Sequence, residues 1–161
     1  MSYPQRHSSP TQIIAGELTF FITSCTWGRR SLLQSARAAS LFVPTIRDYQ
    51  AERKFRLHAF VVMPNHFQLL IPVRAIQLVK GGFAYRAGKD LGVISPVWQK
   101  GFSEVRVFDA DVFENQLEYT HQNPVRAQLV ERAELYPYSS AGDLSQIDPA
   151  PVWLQIAKNG A

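Results

Sequence analysis

His66 and Gln68 stand two apart in a run of strand-forming residues. Alternation along a strand therefore sets an imidazole and an amide side by side on one face, with Phe67 directed into the opposite layer. A neutral imidazole nitrogen beside an amide oxygen can ligate a divalent cation. The same two groups also make an ordinary hydrogen-bonded polar pair. Tyr119 and Asn123 stand four apart in a helical stretch and share one face, one turn from each other. Beside Pro124 the Asn123 side-chain oxygen is free to reach a metal, while a tyrosine one turn away is also what an amphipathic helix uses for packing. His121 points about 200° around the helix from Tyr119 and reads as a surface or backbone-contacting residue. If Pro64 and Asn65 form a two-residue turn, Met63 pairs with His66 and Val61 with Gln68, and His58 falls on the other face.

A sheet and a helix must bring these side chains together. The pattern predicts a strand over 18–26, a basic turn at Trp27, Gly28, Arg29 and Arg30, and a helix over 35–52 capped by Ser35 and kinked at Pro44. A hairpin of strands 55–63 and 66–73 follows, then a helix over 76–91 with Lys80, Arg86 and Lys89 outward. Gly81 and Gly82 weaken that helix by about 1 kcal/mol each unless a close contact needs them. A strand over 98–108, bent at Gly101, leads to a helix over 111–122 that opens on an acidic cap and stops before Pro124. This order is that of an α+β fold: a ferredoxin-like split βαβ sandwich with an antiparallel sheet and an added C-terminal helix bearing the tyrosine. Residues 1–16 read as a flexible arm, 17–141 as a single domain and 142–161 as a tail.

With 161 residues, 46% hydrophobic and 19% charged, the chain can bury a core without a disulfide or metal staple. Cys25 is the only cysteine, which excludes an intramolecular disulfide and a Cys-rich zinc module and fits a reducing, cytoplasmic setting. The apolar runs are too short to span a bilayer and the first ten residues lack the apolar segment of a signal peptide, so no membrane partner is expected. The net charge of +4 is unevenly placed: thirteen Lys/Arg against four Asp/Glu up to Lys100, then four against nine. Twelve of the 17 basic residues are Arg, whose fork suits phosphate oxygens, so the first part reads as a polyanion-facing surface.

Taken together these segments resemble a known family. Met63-Pro64-Asn65-His66-Phe67-Gln68-Leu69-Leu70 is similar to the metal-binding strand of the HUH endonuclease superfamily, and Tyr119-Thr120-His121-Gln122-Asn123-Pro124-Val125-Arg126-Ala127 to its tyrosine helix. More narrowly the chain resembles the REP-associated tyrosine transposases, with further agreement at 26–30, 57–70, 80–91, 98–102 and 136–140. The resemblance implies a metal-dependent single-stranded DNA endonuclease and strand transferase acting at hairpin-containing repeats. Tyr119 would be the nucleophile that leaves a 5′-phosphotyrosine. His66, Gln68 and Asn123 would hold Mg²⁺ or Mn²⁺, and the chain would act as a monomer or as a homodimer with exchanged tyrosine helices. Trp27, Arg29, Arg30, Lys80, Arg86, Lys89, Trp98 and Lys100 would contact DNA, the tryptophans by stacking on bases. Gln68 departs from the histidine of the closest members, and Val105 from a basic residue or histidine. The alternative is therefore a catalytically weakened hairpin or single-strand DNA-binding protein derived from such a transposase. An RNA-recognition reading of Lys100-Gly101-Phe102 ranks last, because it leaves the segment from Tyr119 to Ala127 unexplained.

Overall fold

The computed structural model describes residues 13–14 and 16–154. Its elements are β1 (Thr19–Cys25), α1 (Ala36–Ala51), β2 (Ala59–Met63), β3 (His66–Ile71), α2 (Ile76–Leu91), β4 (Ser103–Val107) and α3 (Ala110–Arg126), joined in places by short 3-10 turns. The strands form one antiparallel sheet in the order β2-β3-β1-β4. This is the ferredoxin-like split βαβ arrangement, with α3 added. The predicted flexible arm falls almost wholly outside the described residues, as do residues 155–161 of the predicted tail.

Alternation on β3 divides the molecule into layers. Phe67, Leu69 and Ile71 face α1 and α2, where they join Phe42, Phe83 and Trp98 in the larger core. Phe42 touches Phe67 and Phe83 at ring-centroid distances of 4.8 and 5.3 Å, and Trp98 lies 5.0 Å from Phe67. Each such fully buried ring stabilises the fold by about 2–3 kcal/mol relative to exposure. The opposite face, with Phe21, Ala59, Leu70 and Val107, is covered by Phe113 of α3 and by Leu154. His66 and Gln68 belong to this second face, each paired across to a buried apolar residue of β2, Met63 and Val61.

Local chemistry sets the element ends. Ser35 caps α1 by accepting from the Ala38 N–H, and Asp109 caps α3 by accepting from the Val112 N–H. Pro64 and Asn65 make the two-residue turn, with Met63 opposite His66 and Val61 opposite Gln68 as the pattern predicts. Two expectations fail. The helix does not stop before Pro124 but runs to Arg126. A proline this near a helix end removes a single internal hydrogen bond, and Pro124 is itself buried, so packing carries the chain through it. His58 also departs from the strict alternation: it precedes β2, and its ring stands 5.7 Å from Phe113 on the α3 side.

The chain after Tyr138 is ordered against the edge of β2. Tyr138 C=O accepts from the Val62 N–H, and Ser140 Oγ accepts from the Phe60 N–H. These bonds occupy backbone groups that an open edge strand would leave unpaired. The predicted tail continues this packing: Asp148 Oδ2 accepts from the Leu57 N–H and from Gln50 Nε2, and Leu154 is buried.

Candidate active site

β3 and α3 cross so that His66, Gln68 and Asn123 meet. Asn123 Nδ2 donates to Gln68 Oε1 at 2.8 Å and lies 3.4 Å from His66 Nε2. On the far side of the imidazole, His66 Nδ1 is 2.8 Å from Asn65 Oδ1. An amide oxygen can only accept, so Nδ1 carries the proton and Nε2 keeps its lone pair toward Gln68 and Asn123. Burial, assisted by the charge of Arg29, pushes the His66 pKa below its usual value, which keeps that lone pair available at neutral pH.

Among the described residues no group of three or more His, Cys, Asp or Glu is arranged to hold a metal. The donors that do converge are one imidazole nitrogen and the oxygen of Gln68, with the Asn123 amide carrying a further oxygen on its other arm. One imidazole nitrogen and one amide oxygen are neutral donors that a divalent cation such as Mg²⁺ or Mn²⁺ can accept. Turning over the Asn123 amide would bring its oxygen beside the other two donors, and the three side chains could then hold the cation that the sequence resemblance leads one to expect.

Tyr119 sits one turn before Asn123, 48% exposed. Its ring stands at 89° to Phe21 with centroids 5.8 Å apart. No described residue hydrogen-bonds its hydroxyl.

The segment around Trp27 is stitched to the end of the sheet that holds His66. Thr26 N–H and Thr26 Oγ1 both donate to Asn65 C=O, at 3.0 and 3.1 Å, and Thr26 Oγ1 also lies 2.6 Å from Arg30 C=O. Gly28 and Arg29 both adopt left-handed backbone, φ 62° and 53°, which glycine accepts freely and arginine only under restraint. Trp27, Arg29 and Arg30 are exposed here, with Arg30 Nη2 donating to Pro96 C=O.

The other predicted contact residues scatter. Trp98 is 9% exposed, packed among Phe42, Phe67 and Phe83, with Nε1 donating to Lys80 C=O. A ring so enclosed offers no face to a base, and its part as a stacking platform is withdrawn. Arg86 is not outward: it bonds Asp48 at 2.8 Å and Thr45 Oγ1 at 3.3 Å across the α1–α2 interface. Its charge is already matched, so it too is withdrawn as a phosphate contact. Lys80 Nζ donates to Gln99 and Gly101 C=O, and burial lowers its pKa. Lys89 and Lys100 are exposed.

His121 is buried rather than superficial, with Nε2 2.7 Å from Ser140 Oγ. Asn65, expected only as a turn former, also places its Oδ1 against the His66 ring. Its position immediately before His66 was the signal that it could orient the imidazole.

No protein-family model and no curated protein sequence matches the chain. Its structure is similar to that of a REP-associated tyrosine transposase bound to a REP hairpin, over 94% of this chain and 90% of that one, at 22% identity and a TM-score of 0.68. The chain has that transposase fold. A candidate transposase from Deinococcus radiodurans R1 aligns over 80% of this chain and 92% of its own, at 18% identity and a TM-score of 0.49. No helix among the described residues is long and apolar enough to cross a membrane.

Proposed function

We propose that the chain is a metal-dependent single-stranded DNA endonuclease and strand transferase of the REP-associated tyrosine transposase kind, acting at hairpin-containing repeats. The observation that carries this reading is the meeting of Asn123 with His66 and Gln68, one helical turn beyond an exposed tyrosine whose hydroxyl no described residue engages. The Tyr119 oxygen attacks a backbone phosphorus, the bond from phosphorus to the 3′-oxygen breaks, and a 5′-phosphotyrosine and a free 3′-hydroxyl result. The phenol proton passes to solvent and the departing oxygen gains one. Bound Mg²⁺ or Mn²⁺ would polarise the phosphate and offset its developing charge. His66, oriented by Asn65, Gln68 and Asn123 would hold that cation, and Tyr119, one helical turn before Asn123 on α3, would approach a phosphate bound there. The covalent intermediate conserves the bond, so a later 3′-hydroxyl can reverse the step and join strands. Trp27, Arg29 and Arg30 flank the same end of the sheet and would bind the strand by stacking and phosphate contact.

The test is a denaturing gel for a covalent protein–DNA adduct, using single-stranded hairpin oligonucleotides from repeats flanking the gene, with Mg²⁺ or Mn²⁺. An adduct that forms with wild type and is lost with EDTA or in Tyr119→Phe supports the reading. Binding without an adduct, with any oligonucleotide and either metal, leaves the alternative of a DNA-binding protein derived from such a nuclease.

A further inference from the structure

Arg126 follows Tyr119 by seven residues, two helical turns, and so returns to within about 20° of it around α3. Helical side chains lean toward the N-terminus, and Arg126 reaches back along the face it shares with the tyrosine. Its Nη2 donates to Tyr119 C=O at 2.6 Å, and its Cζ lies 3.8 Å from the centroid of the Tyr119 ring. No carboxylate is paired with this guanidinium among the described residues. Its charge is therefore directed at the ring.

A basic side chain in the last turn of a helix commonly serves the free carbonyls at that end. Tyr119 C=O is not one of them. It lies two turns inside the helix, where the Asn123 N–H is its regular partner. The bond from Arg126 is thus additional to what the helix end requires, and its effect is to bring a cation onto an aromatic face. An exposed helical tyrosine is otherwise free to exchange between two χ1 rotamers. Here Phe21 stands at right angles to the ring and Arg126 covers its face, while the hydroxyl end stays open.

We propose that Arg126 is a positioning residue, holding the Tyr119 ring in the single orientation that presents its hydroxyl to a phosphate beside Asn123. The proposal rests on the reading of Tyr119 as the nucleophile. Tight placement of reacting groups is where enzymes gain much of their rate, so losing the clamp should reduce chemistry more than binding.

The experiment measures adduct formation in a single turnover at saturating oligonucleotide, alongside oligonucleotide affinity by fluorescence anisotropy. Arg126→Ala should slow the adduct step by about tenfold or more while affinity holds within about twofold. Arg126→Lys, which keeps the charge without the fork, should recover part of the rate. A wild-type rate in Arg126→Ala overturns the proposal, as does a loss confined to affinity, which would make Arg126 a phosphate contact. Should Arg126→Ala show no cooperative melting, Arg126→Gln replaces it and must show the same rate loss, because it keeps a donor for Tyr119 C=O and removes the cation. A second readout needs no catalysis: the Arg126 Hδ protons should be shifted upfield by the Tyr119 ring and should lose that shift in Tyr119→Leu. Absence of the upfield shift in wild type also overturns the clamp. Failure of the nucleophile reading shows differently, as a wild-type protein that forms no adduct at all.

Discussion

In the proposed cation site Gln68 would offer an amide oxygen where the family resemblance leads one to expect an imidazole nitrogen, and that exchange would govern which cation binds. Nitrogen ligands favour the later transition metals, whereas oxygen ligands leave Mg²⁺ and Mn²⁺ competitive. Gln68→His should therefore raise the ratio of Co²⁺-supported to Mg²⁺-supported adduct formation severalfold, read on the same gel across a metal series. An unchanged ratio would mean that residue 68 does not ligate. Strand and helix periods made legible that His66 shares a face with Gln68 and Tyr119 with Asn123; that the two pairs belong to one site came only from the family resemblance. What those periods do not fix is the partner. Asn65 on the imidazole and Arg126 on the tyrosine ring both depend on the reach of a side chain. Trp98 depends on three phenylalanines from distant segments, which is why its burial was not apparent.

The elements were largely readable, and their departures have local causes. The Pro64–Asn65 turn sets the β2–β3 register, and a one-residue slip would move His66 and Gln68 into the apolar layer. On α2, the condition placed on the paired glycines separates them. A Cβ on Gly82 would come within 2.4 Å of Tyr49 Oη and 2.9 Å of Tyr49 Cε2, so its missing side chain lets α1 and α2 approach. Gly81 has nothing within 4 Å of that position and is exposed. Gly81→Ala should accordingly raise stability by about 0.5–1 kcal/mol, since alanine costs the unfolded chain less freedom and no contact opposes it. Gly82→Ala should show no such gain and a net loss, because the Tyr49 ring must be displaced. Urea unfolding of the two variants side by side decides it. Equal gains would mean that Tyr49 yields without cost and that the helix contact does not need the glycine.

At the scale of the whole molecule, the segment after α3 returns across the sheet and locks elements that the catalytic reading needs fixed. Its strand-edge bonds at Val62 and Phe60 come from residues 136–140, which the family resemblance covers without giving their contacts, and Asp148 on the Leu57 N–H had no signature, because polar residues without periodicity look alike whether packed or loose. One of these locks is titratable. His58 is buried against Phe113, with its Nδ1 2.8 Å from Pro149 C=O. The carbonyl requires Nδ1–H, which the neutral ring supplies. Burial is the largest influence on its pKa and lowers it, outweighing the opposing effects of Pro149 and Asp148. A histidine whose folded pKa lies below 6.5 binds its proton more readily in the unfolded chain. Its contribution to stability is therefore complete above pH 6.5 and is lost as pH falls toward the folded value. The melting temperature should be flat above about pH 7 and fall steadily below about pH 6.5. In His58→Gln, whose amide N–H can still donate to Pro149 C=O, that acid-side fall should be shallower. Thermal melts of both proteins across the range test this, and a melting temperature that rises as pH drops through the window would reverse the assigned sign.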